Sequence, residues 1–476
     1  MPSVSSLGVG SNIDAESIVK ALVSAESQPL KLLQDQEADL KTKVSSFGKV
    51  QSLFSDLEDA SQSLASVSLW NQTTASSSDS ATVSASSSSG AASGSYSVTV
   101  QKLATSQTAT STAFASSSST LSAGTLTIEL GTWTGDPETG FTAKSGSSPV
   151  SITIGAGETS LSAIRDKINA ANAGVTASII NDASGARLSI RSTSTGAENA
   201  FRITATEDTD DGVAGTGLSA LGYDATAASP MTRNQKAINA QATINGISVT
   251  SASNTLENVA DGLTVKLLKE STTAVDVTVG SDTDAVRKGI DDFVKAFNAL
   301  ATYIHDQTQY NADSKNAGPL QGDRTAVSLQ NQLRAVLNMD STASSKYARL
   351  SDIGLVMKAD GTLETKSGKL DDAMDNLSEL RKLFATDGTT SANSGFMVRY
   401  RKLASAVLDT DGALDAATTG LNNRIKTLDK REAQMQDRLD AMEKRLREQY
   451  QALDTKMGSL NGLSSYISQQ ISALNK

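Results

Sequence analysis

No cysteine occurs among the 476 residues, which excludes disulfides, thiolate metal centres and a cysteine nucleophile. There is one histidine, His305, beside the apolar Ile304, and no nucleophile-elbow sequence accompanies it to complete a Ser-His-Asp relay. Aromatic residues make up only 4%, so stacking platforms are few and the expected cores are rich in Ala and Ser. No run of about 18 apolar residues is present to span a membrane. Residues 1–10 lack the basic and apolar regions of a cleavable signal peptide. Acidic residues outnumber basic ones, 52 to 42, and the basic ones are scattered, which argues against a nucleic-acid partner.

Other patterns fail on inspection. Glu207 to Gly212 resembles a calcium loop, but counted from Asp208 the sixth and twelfth places hold Val213 and Ser219 instead of Gly and Glu. Lys366-Ser367-Gly368-Lys369 lacks the first glycine and the final Ser/Thr of a phosphate loop. Asp291-Asp292 and Asp371-Asp372 are sequence neighbours on expected helices, so they diverge by about 100° and do not share a proton. The residues indicate no enzyme, no cofactor and no metal.

What the chain does have is helical periodicity at both ends. From Leu421 to Leu474, apolar residues recur in steps of three and four, with charges of both signs between them. From Leu439 the spacing runs 3-4-4-3 through Met442, Leu446 and Tyr450 to Leu453, a change of register centred on Leu446. Near the start, Ser11 to Asp14 offers cap residues for a helix carrying Ile13, Ile18 and Leu22, and Pro29 predicts a break. Beyond it, Leu33, Leu40, Phe47 and Phe54 recur every seven residues, with Val50, Leu57 and Leu64 as a second row. Two such stripes need partners, and the simplest arrangement sets the chain ends side by side, antiparallel, with the rest inserted between them.

The expected architecture is a multidomain α+β chain: helical coiled-coil terminal legs and a helical domain, with two β-rich domains inserted. Residues 1–40 form N-terminal leg helices paired with the C-terminal leg helix 435–476, and 41–70 with 281–434 form the helical domain. Residues 71–120 are a Ser-rich linker and the first strands of an inner β domain, completed by 235–280; residues 121–234 form an outer αβ module. Within 71–120, Ser76 to Ser93 is expected to be flexible, whereas Tyr96, Val98 and Val100 alternate as a strand. Asn245-Gly246 predicts a hairpin turn, and so does Ala359-Asp360-Gly361. Val286, Ile290, Phe293, Phe297, Leu300 and Ile304 predict a strongly amphipathic helix.

Several stretches, in order, resemble the flagellar filament-capping family, hook-associated protein 2. They are Leu7-Gly8-Val9-Gly10-Ser11-Asn12-Ile13-Asp14 with Ile18 to Leu22, Gly94 to Ala104, and Ala260-Asp261-Gly262-Leu263-Thr264-Val265. Later come Ser351-Asp352-Ile353-Gly354-Leu355, Asp360-Gly361-Thr362-Leu363, Tyr450 to Asp454, and Ser464 to Ile467. Asp352, Gly354, Asp360 and Gly361 are the structural marks of this resemblance. It implies an extracellular protein of the bacterial flagellum tip, exported through the flagellar type III apparatus without a cleavable signal peptide. It further implies a homo-oligomeric ring that promotes insertion and polymerisation of flagellin. Implied partners are flagellin, hook-associated junction proteins and a cytoplasmic export chaperone at the C-terminal helix, with no membrane and no nucleic acid. The expected packing surface of the legs is Leu7, Ile13, Ile18 and Leu22 with Leu453, Met457, Leu460, Ile467 and Ile471. The alternatives are a hook-filament junction protein, or a surface adhesin acting through the β-rich segments.

Overall fold

The computed structural model describes residues 14–213, 215–311 and 316–474. Its helices, in chain order, are α1 (Ala15–Glu26), α2 (Gln28–Ala65), α3 (Val67–Trp70), α4 (Leu161–Ala170), α5 (Thr283–Thr308), α6 (Arg324–Asn338), α7 (Ser367–Met374), α8 (Leu377–Ala385), α9 (Phe396–Leu408) and α10 (Ala413–Leu474). The chain divides into two compact units, one formed by both ends (1–70 and 283–476) and one by residues 71–282.

The unit built from the ends is helical, and α2 is its axis, packed against α5, α9 and α10. The heptad rows of α2 are inside except at the start of the first, where Leu33 is half-buried: Leu40, Phe47, Phe54, Val50, Leu57 and Leu64 are all buried. The stripe of α5 is buried throughout, from Val286 to Ile304. Phe293, Phe297 and Tyr400 form one aromatic cluster with centroids 5.2–6.2 Å apart, and the buried Tyr400 hydroxyl donates to the Leu333 carbonyl at 3.1 Å. Six of the nine phenylalanines (Phe47, Phe54, Phe293, Phe297, Phe384 and Phe396) are fully buried in this unit. The scarce aromatics are therefore concentrated here, and the Ala- and Ser-rich packing expected from composition does not describe this core.

A break separates α1 from α2 at Ser27, with Pro29 in the first turn of α2, where a missing N–H costs nothing. Asp14 caps α1, its carboxylate accepting the Ser17 N–H at 3.1 Å. The terminal helix α10 runs unbroken for 62 residues, a rod of about 90 Å at ~1.5 Å per residue. The register change at Leu446 is thus accommodated without interrupting the helix.

The other unit is entirely antiparallel in its sheets. A five-stranded sheet (Thr73–Ser77, Val275–Ser281, Gly94–Lys102, Ala240–Ile244, Ile247–Ser251, in spatial order) and a three-stranded sheet (Thr255–Ala260, Leu263–Leu267, Val83–Ser87) share a core of Val, Ala, Leu and Ile. This core has the small-residue character that the composition implies. Asn245 and Gly246 close the tight hairpin at φ 49° and 83°, as a type I′ turn requires.

The Ser-rich stretch is not a linker. Thr73–Ser77 pairs with Val275–Ser281, Val83–Ser87 pairs with Leu263–Leu267, and Val83 is completely buried. Backbone ladders to partners far along the chain order a segment whose own side chains carry little apolar signal. The outer module also starts earlier than residue 121: Thr108–Thr110 pairs with Gly185–Ser192 and Thr232–Gln235, with Ala109 fully buried. Crossing between the two cores occurs where Thr105 bridges Ile238.

In that module two four-stranded sheets and α4 enclose a second core centred on Leu126, Ile164, Leu188 and Phe201. Glu138 ties its long hairpin to the strand Thr232–Gln235: Arg233 Nη2 lies 2.7 Å and Lys236 Nζ 2.9 Å from Glu138 Oε1. The hydrogen bond from Lys236, opposed by partial burial and reinforced by Arg233, lowers the carboxyl to about 2 from an ordinary 4.5. A carboxylate depressed in the folded state stabilises above its unfolded pKa, and that contribution is lost as pH falls toward the folded one. Glu138→Gln is therefore expected to lower the melting temperature of this unit at pH 6, with the gap to the parent closing between pH about 4.5 and 2. Trp133 fluorescence in a Trp70→Phe background reads this unit alone, because the chain has only two tryptophans. A gap that stays constant across that range would show that the pairs contribute nothing.

Candidate functional site

The described residues hold no cluster of three or more His, Asp or Glu placed to bind a metal, and none of their helices is long and apolar enough to cross a membrane. Several acidic residues noted in the sequence are engaged within the chain. In the acidic loop, Asp210 accepts the Gly212 N–H at 2.8 Å, and Asp211 accepts the Val213 N–H and the Thr216 hydroxyl. Asp292 pairs with Lys288, and Asp371 with Arg287.

Asp352, Gly354, Asp360 and Gly361 build a scaffold. Asp352 Oδ2 accepts the N–H groups of Ala348 and Arg349, both at 2.9 Å, and fixes the turn Leu350–Ile353. Gly354 ends that turn at φ 87°, where a Cβ would meet the Lys366 carbonyl at 2.6 Å. Asp360 accepts the Thr362 N–H and hydroxyl, which together hold its carboxyl near 2. The hairpin so formed (Leu355–Met357 with Leu363–Thr365) docks on α5 through Asn298, whose amide exchanges hydrogen bonds of 2.6 and 2.9 Å with the backbone of Leu363.

The candidate assembly surface is at the chain ends. α1 lies antiparallel along α10, in a register marked by Arg447 to Glu16 (Nη1 to Oε2 2.5 Å, Nη2 to Oε1 2.9 Å) and Arg438 to Glu26 (3.6 Å). Glu443, one turn earlier on α10, also accepts from Arg447 Nε at 2.9 Å. The Arg447 hydrogen bonds lower the Glu16 carboxyl, and Glu16 in turn raises the guanidinium. Glu443-Arg447 and Glu16-Lys20 are local pairs, each four residues apart on one helix, whereas the bridges from Arg447 to Glu16 and from Arg438 to Glu26 join opposite ends of the chain.

Burial along α10 declines steadily toward its end. Leu421, Leu428 and Leu439 are buried, Met442, Leu446 and Tyr450 are half-buried, and every residue from 461 to 473 is exposed. Leu453, Leu460, Ile467 and Ile471 are 43%, 58%, 48% and 54% exposed, and Met457 is half-buried. The contact face of α1 is Ala15 and Val19, both buried, while Ile18 and Leu22 point outward at 36% and 40% exposure. The structure therefore does not bring Ile18 and Leu22 against the Leu453 to Ile471 stripe; Leu7 and Ile13 lie outside the described residues. Met457 to Leu474 contains no charged residue at all. The stripe Leu453, Leu460, Ile467 and Ile471 is thus apolar, exposed and, from Met457 on, free of neighbouring charge.

The chain thus comprises a helical unit made from both chain ends, which includes the long terminal helix, and β modules inserted in the sequence between residues 70 and 283. Comparison with known proteins agrees. Residues 11–107 match the family model described as flagellar hook-associated protein 2 N-terminus, residues 237–462 match that of its C-terminus, and residues 125–194 match the flagellin hook IN motif. The chain is 34% identical to flagellar hook-associated protein 2 of Escherichia coli strain K12, covering 99% of this chain and 98% of that one. It is 32% identical to that of Salmonella typhimurium strain LT2, with both chains fully covered. Its fold is similar to the crystal structure of the flagellar cap protein FliD D1-D2-D3 domains from Escherichia coli: TM-score 0.60, 32% identity, 79% of this chain and 99% of that chain. The chain belongs to the flagellar hook-associated protein 2 family.

Proposed function

We propose that this protein caps the bacterial flagellar filament. Copies assemble as a ring at the growing tip and promote the insertion and polymerisation of exported flagellin. The observation that carries this reading is the apolar stripe of α10, exposed at Leu453, Leu460, Ile467 and Ile471 and half-buried at Met457, in a chain similar over its full length to flagellar hook-associated proteins 2. Together with Ile18, Leu22, Leu7 and Ile13 it forms the leg surface that packs on neighbouring subunits. Packing of this kind converts a half-solvated amphipathic helix into a buried one, so ordering of the legs is coupled to assembly. The same stripe is available to an export chaperone before assembly, and the chain reaches the tip by the flagellar export route.

The test is complementation of a strain lacking the gene, with immunogold labelling of the protein on isolated flagella. Label at filament tips and restored motility are expected; without the protein, flagellin accumulates unpolymerised in the medium. Label confined to the base of the filament would overturn the cap in favour of a junction protein.

A further inference from the structure

The outer module brings an amine, a carboxylate and an amide together, apart from the leg surface. Lys144 directly follows the strand Glu138–Ala143, and its backbone N–H donates to the Leu130 carbonyl at 2.8 Å. Its Nζ lies 2.6 Å from Asn199 Oδ1 and 3.3 Å from Glu198 Oε1, both on the short turn Ala197–Asn199. Lys144 and Asn199 are 55 residues apart in the sequence.

Asn199 is only 6% exposed and is held through side chain and backbone. Its Nδ2 donates to the Thr195 carbonyl at 2.6 Å, and its own carbonyl accepts the Ser192 hydroxyl at 2.6 Å. A lysine ammonium only donates and a backbone carbonyl only accepts, so these contacts fix which end of the amide faces Lys144. Oδ1 is bonded to Cγ, and the amine therefore stands beside the carbon that a nucleophile attacks. Glu198 is 54% exposed, and an ion pair so open to water adds little stability. What Glu198 supplies, within reach of the same Nζ, is a proton acceptor.

We propose that Lys144 and Asn199 join spontaneously in an isopeptide bond, with Glu198 as the base. Glu198 takes a proton from the Lys144 ammonium, the free amine attacks Asn199 Cγ, and an Nζ–Cγ bond forms. The Cγ–Nδ2 bond then breaks. Nδ2 leaves as ammonium, carrying both protons that Nζ lost, and Glu198 returns to its carboxylate; no oxidant, metal or co-reactant enters. Holding the two groups in contact supplies the effective concentration that an unreactive amide requires. In a chain without cysteine this is a covalent staple by other means. It ties the strand Glu138–Ala143, which pairs on one side only, to the start of the strand Ala200–Glu207.

The test is intact-mass spectrometry of the full-length protein, fresh and after incubation at neutral pH, with a proteolytic map. A species lighter than the sequence by one ammonia should accumulate, with a branched peptide that joins the segments holding Lys144 and Asn199. Lys144→Arg should abolish the branched peptide. Glu198→Gln, which keeps the shape without the charge, should slow its formation by about a hundredfold or more. Circular dichroism checks that each variant folds, and the parent's mass decides the matter without them. A chain that keeps the mass of its sequence throughout overturns the bond. So does a lighter species without the branched peptide, since Asn245-Gly246 can also lose ammonia by closing on its own backbone. Linkage at the parental rate in Glu198→Gln overturns the three-residue mechanism.

Discussion

Phe293→Ala is expected to destabilise the helical unit by about 3–5 kcal/mol, the usual cost of emptying a buried phenylalanine site. Phe293 is fully buried and sits 5.2 Å from Tyr400 and 6.2 Å from Phe297 by ring centroid, so the substitution removes two aromatic contacts along with its own apolar surface. Collapse around the void is hindered because Tyr400 is tethered through its hydroxyl to the Leu333 carbonyl. The melting temperature should fall on the order of 10 °C. Trp70 is the reporter: it is buried in this unit, donates its indole N–H to the Leu64 carbonyl at 2.8 Å and stacks on Phe384 at 6.1 Å. Phe293→Leu keeps most of the volume and should lose about 1 kcal/mol. A loss that small for the alanine variant would mean that the cluster repacks freely.

That cluster illustrates what could be read from residue spacing. The α5 stripe is legible because each of its six apolar positions recurs within one helix, and one face of that helix is buried along its whole length. The heptad rows of α2 are legible for the same reason. By contrast, Thr73–Ser77 and Val83–Ser87 escape local reading: their partners, Val275–Ser281 and Leu263–Leu267, lie about two hundred residues further on. A strand of Ser, Thr and Ala is specified mainly by that pairing and hardly by its own alternation.

The candidate surfaces divide in the same way. Periodicity marks a stripe on each chain end but not which positions the chain covers for itself. On α1 the small Ala15 and Val19 take the contact with α10, and the larger Ile18 and Leu22 are left outside. Close approach of two helices favours small side chains between them, and hydropathy alone ranks those residues second. The meeting of Lys144 with Glu198 and Asn199 is less legible still, since it joins segments 55 residues apart.

Leu460→Glu/Ile467→Glu is expected to abolish assembly and motility without lowering the melting temperature of the monomer. Both side chains are about half exposed, at 58% and 48%, and seven residues apart on one face of α10, so in the isolated chain the substitutions exchange solvated methyls for solvated carboxylates. Surface changes of this kind move stability by about 0.5 kcal/mol at most. In the proposed assembled leg the same positions would be covered. Each loses about 1.5–3 kcal/mol of burial there, before any cost of enclosing a charge is counted. Together that is at least about 3 kcal/mol per contact, or more than a hundredfold in affinity, and a ring repeats the loss at every joint. Leu32→Glu is the control: Leu32 is 62% exposed on α2, and the same chemistry there should leave both readouts unchanged. Retained rings and swimming in the double variant would remove the stripe from the assembly surface. A melting temperature lowered by several degrees would instead make it an internal packing face, because only a stripe already buried within the chain loses stability when charged.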